Sequence, residues 1–428
     1  MPQQHVAVIG AGMVGLSTAW FLQEHGIRVT VYDRDHVAAG SSWGNAGWLT
    51  PALTAPLPEP SVLKYGIKAV LSPSSPVYVP LRADPKLLRF LAGFTRHSTA
   101  RRWQAGMRAY APMNKLALDA FEQLTDADVA APTQAADPFL ACFRNPDEHA
   151  TLVDELEHIR SAGQDVKYDI LTGHEARAAE PALSAQVGSA VRLHGQRYLN
   201  PPAFMAALAA AVRARGGEII ENTAVTDILH RGDGIRLVTH PQHSTPATMG
   251  QAVISDRFDT AVIANGAWLS PMARKFGVRH PVQAGRGYSF SVAADRVPAG
   301  PVYFPTQRVA CTPLHTPQGT RLRVAGMMEF RAPDAALDHR RIKAIVNATQ
   351  PLLDGVNLHD RADEWVGSRP CTADGLPLIG ATTAPGVFVA GGHGMWGIAL
   401  GPLSGKLLAR RIATGVTPPE LAAFDPLR

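Results

Sequence analysis

The sequence is poor in cysteine and in segments that could cross a membrane. Its 428 residues include three cysteines, Cys142, Cys311 and Cys371, which are far apart and form no CxxC pair. This spacing argues against a disulfide framework and against a zinc or other metal site, and fits a reducing compartment. No apolar run reaches the ~20 residues that a membrane-spanning helix needs.

The chain also lacks a strong net charge. Its formal charge is +5, with 46% hydrophobic and 18% charged residues, which is typical of an ordinary globular protein and does not indicate a nucleic-acid partner. The first expected strand begins about five residues from the initiator methionine, which leaves no room for a signal peptide. We therefore expect a cytoplasmic protein, with peripheral attachment to the inner face of a membrane left open.

The first 33 residues follow the order strand, glycine turn, helix, strand, acid. The strand His5–Ile9 leads into Gly10-Ala11-Gly12-Met13-Val14-Gly15, and a second strand ends at Asp33. This order is the fingerprint of a βαβ unit that binds a dinucleotide. Gly10 permits the tight turn, Gly12 lets the backbone approach a pyrophosphate, and Gly15 lets the helix pack closely on the strand. The helix N terminus offers free N–H groups to phosphates, and Asp33 can accept hydrogen bonds from a ribose diol.

Length and pattern predict two domains, each discontinuous in sequence. The stretch 51–85 is rich in proline and predicts a surface segment with short helices at most. Residues 234–258 are expected to form a hairpin, and 260–264 a buried strand of a parallel sheet. The nucleotide-binding domain is assigned to 1–50, 196–270 and 356–428, and the substrate-binding domain to 51–195 and 271–355.

Motifs along the whole chain resemble the D-amino acid oxidase family of FAD enzymes, and within it the bacterial D-amino acid dehydrogenase branch. Each motif is modest alone, but their order and spacing are specific. In one departure, Met395-Trp396 replaces smaller residues expected after His393-Gly394, so the shape over the flavin is expected to differ. The matching segments are Gly10 to Gly15 with Asp33-Arg34, Ser41-Ser42 with Asn45-Ala46-Gly47, Ala264 to Trp268, Arg369-Pro370, Asp374-Gly375, Pro377 to Gly380, and Gly392-His393-Gly394 with Gly397.

The resemblance implies a Rossmann-like FAD-binding domain (α/β) joined to a discontinuous mixed-sheet (α+β) substrate-binding domain. It places the Gly391–Gly397 loop under the flavin, with the N terminus of the last helix toward the pyrimidine end. It implies that the hydroxyls of Ser41 and Ser42 bind the pyrophosphate, although serine is also common in polar loops that bind nothing. The implied FAD contacts are Gly10, Gly12, Met13, Val14, Gly15, Asp33, Arg34, Ser41, Ser42, Asn45, Gly47, Val225, Ala264, Gly266, Trp268, Gly392, His393, Gly394, Met395, Gly397 and Ile398.

Three further residues near these motifs have assigned roles. Val225 is expected to offer backbone groups to adenine, since its side chain need only be apolar. His393 is expected to be a packed loop residue rather than a base. Cys371 does not sit in the register that the related sarcosine oxidases use for a covalent link, so the FAD is expected to be non-covalent.

Arg369 is the strongest candidate for the substrate carboxylate, because the family uses the arginine of its Arg-Pro motif in this way. A guanidinium pairs with a carboxylate through two parallel hydrogen bonds. A surface salt bridge is the alternative explanation. Tyr288 is the second candidate catalytic residue, with a core or rim tyrosine as the alternative, and Arg286 is expected to be structural.

The implied reaction is oxidative deamination of a D-amino acid to a 2-oxo acid and ammonia, in amino acid catabolism. Hydride passes from the α-carbon to the flavin, and no protein acid or base is required; catalysis rests on orientation and electrostatics. Oxidation of a secondary amino acid such as proline, hydroxyproline or sarcosine, or of glycine, remains an alternative, as does a non-catalytic FAD subunit. The family match weighs against a nicotinamide enzyme. The electron acceptor (quinone, dye-like acceptor or oxygen) and an oligomeric state stay open.

One basic segment has two interpretations. Arg96, Arg101, Arg102 and Arg108, with Phe94 and Trp103, could form a basic, aromatic helix face that touches a membrane and a quinone. Short charged faces are usually just solvated, and this explanation is favoured.

Overall fold

The computed structural model describes residues 3–60, 75–79, 84–232, 234–241, 252–294, 296–316 and 319–428. Parts of the predicted proline-rich segment (61–74 and 80–83) and of the predicted hairpin (242–251) lie outside the described residues.

The helices and strands alternate along the chain. The helices are α1 Met13–Glu24, α2 Pro85–His97, α3 Ala100–Ala127, α4 Ala150–Ser161, α5 Gly173–Ala179, α6 Pro201–Ala214, α7 Leu269–Ala273, α8 His339–Thr349 and α9 Gly397–Thr414. The strands are β1 His5–Ile9, β2 Arg28–Tyr32, β3 Trp48–Leu49, β4 Val77–Tyr78, β5 Gln134–Ala135, β6 Phe139–Phe143, β7 Tyr168–Thr172, β8 Ser189–Leu193, β9 Arg197–Tyr198, β10 Glu218–Ile220, β11 Thr223–Arg231, β12 Gly234–Pro241, β13 Val253–Ile254, β14 Thr260–Ile263, β15 Val282–Ala293, β16 Val302–Phe304, β17 Val309–Thr316, β18 Gly319–Phe330, β19 Arg361–Thr372, β20 Leu378–Ala381 and β21 Val387–Gly391.

The opening βαβ unit belongs to a six-stranded sheet in the order β10-β2-β1-β14-β21-β20. All neighbours run parallel except the edge strand β20, which is antiparallel to β21. Its central strands are buried, because helices cover both faces of such a sheet. Within this sheet, α1 packs so closely on β1 that a Cβ at Gly15 would lie 1.8 Å from the Gly10 carbonyl oxygen.

The second large sheet is mixed, in the order β19-β15-β18-β17-β16-β6-β8-β7, with β4 paired to β18. Its strands are mainly antiparallel, and β16 pairs in parallel with β6. Helix α8 packs on it through Ile342, Ile345 and Val346. The strand β19 pairs with β15 in this sheet, so by sheet membership it does not belong to the predicted nucleotide-binding segment 356–428. We therefore propose that the domain boundary lies at the end of β19 rather than at 356.

The basic segment lies on α2 and α3. Phe94 is 8% and Trp103 5% exposed, so both aromatic side chains belong to the core. The arginines therefore do not share their face with exposed aromatic rings, which argues against the less favoured interpretation of a basic, aromatic helix face. None of the helices formed by the described residues combines the length and apolar character needed to cross a bilayer.

Candidate active site

A cavity of about 750 Å³ lies between the two large sheets, within the usual range of ligand pockets. One wall is formed at the carboxyl ends of β1, β2, β14 and β21, and the other by β19 and the loop after β18. Ligands bind at this edge of parallel α/β sheets. The predicted residues that line it are Gly10, Gly12, Met13, Val14, Asp33, Arg34, Ser41, Ser42, Asn45, Val225, Ala264, Gly266, Trp268, Arg369, His393, Gly394, Met395, Gly397 and Ile398.

The N terminus of α1 opens onto this cavity. The first N–H groups of a helix have no partner within the helix, and here the Met13 N–H donates to Ser42 Oγ at 3.1 Å. A Cβ at Gly12 would have this hydroxyl as its near neighbour, at 3.4 Å. The backbone is thus open toward the cavity, with a serine hydroxyl beside it, as a bound phosphate requires.

Asp33 is held at the end of β2 by backbone groups. Its carboxylate accepts from the N–H of Ala11 at 2.7 Å and from the N–H of Asp35 at 2.9 Å. Burial raises the pKa of Asp33, and these two N–H groups act against that shift. The carboxylate is therefore fixed in orientation, with its remaining lone pairs available to a ligand.

Four predicted residues do not line the cavity. Gly15 performs the packing described above. Gly47 has φ +78° and would place a Cβ 2.1 Å from the Leu199 carbonyl oxygen, while Gly392 has φ +77° and packs on Thr372. These glycines shape the backbone around the site, and their role as direct FAD contacts stays a prediction. The fourth is Tyr288.

Tyr288 belongs to the core of the mixed-sheet domain and is 1% exposed. Its hydroxyl donates to Glu329 Oε2 at 2.5 Å, and burial raises its pKa further. Arg286, which is fully buried, lies 3.5 Å from the same carboxylate oxygen through Nη1. Tyr288 therefore has the core position that the sequence left as its alternative, and its side chain does not line the cavity. Arg286 is structural, as expected.

Arg369 enters the cavity from β19 beside a β-bulge. Between the pairs Arg286–Glu329 and Tyr288–Gly326, one residue of β15 faces two of β18, an arrangement common beside active sites. The bulge residue Met327 has φ +64°, and its carbonyl oxygen accepts from Arg369 Nη1 at 2.9 Å.

The opposite residue, Gly287, makes room for the guanidinium. A Cβ there would lie 2.2 Å from Arg369 Cζ and from Nη2. No described carboxylate lies within 4.0 Å of Arg369, and burial lowers the pKa of its guanidinium. The alternative of a surface salt bridge is thus wrong. A half-buried cation without a counter-ion faces the cavity.

The loop between β21 and α9 carries His393. The imidazole is 2% exposed, its Nε2 lies 2.9 Å from Ser404 Oγ, and its backbone bridges Cys371. Burial lowers the pKa of His393 to about 4. The side chain is neutral at physiological pH and packed in the loop.

Several lining residues carry no sequence signal. Pro333, Asp334 and Ala335 come from the loop after β18, and Lys275 from the turn after α7. The role of Gly287 was detectable, because alternate glycines inside a strand, as in Gly285-Arg286-Gly287, indicate a close approach.

The fold and the cavity together define a dinucleotide-binding protein with a second, mixed-sheet domain that covers the ligand. A family model described as FAD dependent oxidoreductase, DAO, matches residues 5–411, and the chain belongs to this family. The predicted fold class is confirmed.

Relatives are distant but span the whole chain. A D-amino acid dehydrogenase of Methylobacterium radiotolerans is 28% identical over 429 residues, which cover 98% of both chains. One of Cereibacter sphaeroides is also 28% identical, over 98% of this chain and 94% of the relative.

Solved structures are similar in fold. Glycine oxidase from Geobacillus kaustophilus has a TM-score of 0.71 at 23% identity and is covered to 99%, with 100% of this chain. L-proline dehydrogenase from P. horikoshii has a TM-score of 0.68 at 17% identity, over 100% of this chain and 97% of that one.

The buried His393 predicts a pH-dependent stability. An unfolded histidine has a pKa near 6.5, so the unfolded chain binds more protons than the native protein between about pH 6.5 and 4. The free energy of unfolding should therefore fall as the pH drops through this window, by up to about 3 kcal/mol from this group. Above this pH window, His393 adds no pH dependence to the free energy of unfolding. Urea denaturation of the protein and of His393→Asn at pH 7 and pH 4 measures it.

The variant should lose that part of the pH dependence. His25→Asn, at an exposed position, is the matched control and should behave like the unchanged protein. Equal pH dependence in His393→Asn and the unchanged protein would contradict the assignment.

Proposed function

We propose that this protein oxidises free D-amino acids to 2-oxo acids and ammonia, as an FAD-dependent dehydrogenase or oxidase. The observation that carries the proposal is the Arg369 guanidinium, half-buried in the cavity without a described carboxylate partner. Leaving a buried charge unpaired is costly, and a ligand carboxylate relieves that cost. The dehydrogenase name of the relatives supports the choice of substrate class.

Arg369 positions the substrate. Its Nη1 donates to the Met327 carbonyl, which fixes the plane of the guanidinium and leaves the Nε and Nη2 groups for the two oxygens of a carboxylate. A carboxylate held in two places fixes the neighbouring α-carbon, and such orientation supplies a large part of catalysis in reactions of this type.

The α1 N terminus, Ser42 and Asp33 would hold the pyrophosphate and ribose of FAD. When bound, FAD supplies the acceptor for the hydrogen and two electrons that leave the α-carbon. The amine lone pair then forms the C=N bond of an imino acid, which water hydrolyses.

Among the described residues that line the cavity, none is a base placed beside Arg369. The lining carboxylates, Asp33, Asp35 and Asp334, gather around Arg34 at the end of β2, and His393 is neutral and held by Ser404. The substrate amine must therefore bind in its neutral form or lose its proton to water. This fits direct hydride departure, which requires no protein base.

We also propose that the FAD is bound without a covalent link. Cys371 does not line the cavity, and burial raises the pKa of its thiol to about 12, so it is no thiolate nucleophile at neutral pH. Acid precipitation of the yellow protein should leave all of the flavin in the supernatant. Flavin that stays with the precipitated protein would contradict this.

The substrate class is tested by anaerobic bleaching of the bound flavin. D-amino acids should bleach it and yield a 2-oxo acid and ammonia, if Arg369 holds their carboxylate as proposed. The panel should include L-enantiomers, D-proline, hydroxyproline, sarcosine and glycine. Bleaching by the secondary amines alone, or by nothing, would overturn the proposal in favour of those alternatives or of a non-catalytic FAD subunit. The rate at which oxygen re-oxidises the reduced flavin, compared with the rate for a quinone or a dye, identifies the class of electron acceptor.

Arg369→Leu should keep its flavin and lose about 100- to 1000-fold in kcat/KM, because two charge-assisted hydrogen bonds disappear. Gly287→Ala should fold, because the three atoms nearest to the new methyl all belong to the far end of the Arg369 side chain, and should raise KM about tenfold by displacing the guanidinium. Steady-state kinetics and flavin absorbance measure both.

The matched control is Ser289→Ala on the same strand, outside the cavity lining. It should change neither kinetic constant. Normal turnover by Arg369→Leu would mean that the carboxylate site lies elsewhere.

A further inference from the structure

The loop of residues 331–338 joins β18 to α8 within the mixed-sheet domain. It extends far enough to contact the nucleotide-binding domain. Pro333, Asp334 and Ala335 line the cavity. Two side chains of the mixed-sheet domain hold the loop from behind. Arg286 Nη2 donates to the carbonyls of Ala335 and Ala336, the latter at 3.1 Å, and Ser368 Oγ donates to the Pro333 carbonyl at 2.8 Å. The loop is thus fixed by its own domain, independently of any ligand.

The tip of this loop reaches the opposite wall through one carboxylate. Asp334 Oδ1 accepts from Arg34 Nη2 at 3.1 Å, and Oδ2 accepts from Trp268 Nε1 at 3.0 Å. The Arg34 guanidinium lies over the Trp268 ring, 3.6 Å from its centroid, and its Nε pairs with Asp35 at 3.0 Å. Asp334, Arg34 and Trp268 therefore form a closed triangle, which we name the clasp.

The clasp lies at the nucleotide end of the cavity. Arg34 directly follows Asp33, the predicted ribose ligand, and both Arg34 and Trp268 line the cavity. On its other side the clasp faces solvent, since the side chains of Arg34 and Asp334 are 37% and 64% exposed. It therefore forms the rim between the cavity and water, rather than part of the interior.

We propose that Asp334 closes the cavity over the ADP half of FAD and slows release of the cofactor. Release of the cofactor past this rim then requires the two contacts of Asp334 to open. Arg286 and Ser368 act as positioning residues that keep the carboxylate in reach of both donors. The inference depends on FAD occupying the cavity and not on which amine is oxidised.

The test is the rate at which diluted holoprotein releases FAD without substrate, followed by the rise in free-flavin fluorescence. Asp334→Ala should release FAD about tenfold faster, as expected for losing a charge-assisted hydrogen bond and an exposed ion pair. Asp334→Asn keeps an acceptor for Trp268 and should be intermediate. Raising the salt from about 0.02 M to about 0.3 M should speed release from the unchanged protein more than from Asp334→Ala, because exposed ion pairs are screened.

Two controls separate the clasp from a general loss of charge or fold. Asp360→Ala removes an exposed carboxylate that has no hydrogen bond or ion pair in the described part of the chain, and it should leave the release rate within about twofold of the unchanged protein. The far-UV circular dichroism and apoprotein stability of Asp334→Ala should also be unchanged.

In a Trp268→Phe background, removal of Asp334 should have a smaller effect, because one of its two donors is already absent. The proposal is overturned if Asp334→Ala releases FAD at the unchanged rate, if Asp360→Ala has the same effect, or if the effects of Asp334 and Trp268 are independent. None of these readouts involves turnover, so failure of the D-amino acid assignment would leave them intact.

Discussion

The candidate site depends on where the mixed sheet places one charged group, the guanidinium of Arg369. A bulge puts Met327 in the left-handed region, a conformation that costs a non-glycine residue about 1–3 kcal/mol. In this conformation the Met327 carbonyl accepts a hydrogen bond from Arg369. Gly287 leaves the space that the guanidinium fills. An unpaired cation is tolerable at this depth because it borders a cavity rather than the core. In the proposed function, a ligand carboxylate completes the arrangement.

The two domains contribute different kinds of chemical groups to the cavity. The nucleotide-binding sheet presents backbone N–H groups and one oriented carboxylate, Asp33, which are properties of the βαβ geometry itself. The mixed sheet presents side chains that depend on a buried polar and ionic network. In this network, Glu329 is contacted by Tyr288, Arg286 and Arg331. Removing one member of such a group would leave the others unpaired in the interior. The network therefore ties the fold of this domain to the position of the loop that carries Asp334.

The sequence predicted what local geometry determines and missed what tertiary packing determines. The glycine motif and Asp33 could be placed because a βαβ unit is one continuous segment with fixed spacing. Arg369 was found by resemblance to the family motif, and its place in the cavity agrees. For Tyr288 the sequence left two positions open, since alternation along β15 does not say which face meets the cavity until the bulge is known. Sequence order alone does not place the domain boundary either, because β19 is adjacent in sequence to the C-terminal nucleotide-binding elements but pairs with β15. Asp334 had no local signal at all, because its partners Arg34 and Trp268 lie 300 and 66 residues away in the chain.

The central claim is that Arg369 binds a carboxylate directly against the bound flavin. The most direct measurement is a titration of the oxidised holoprotein with a simple carboxylate that lacks an amine, such as propionate, followed by the flavin absorbance spectrum. The account predicts a saturable spectral change in the unchanged protein and none in Arg369→Leu at the same flavin content. A saturable change of equal affinity in both proteins would contradict it.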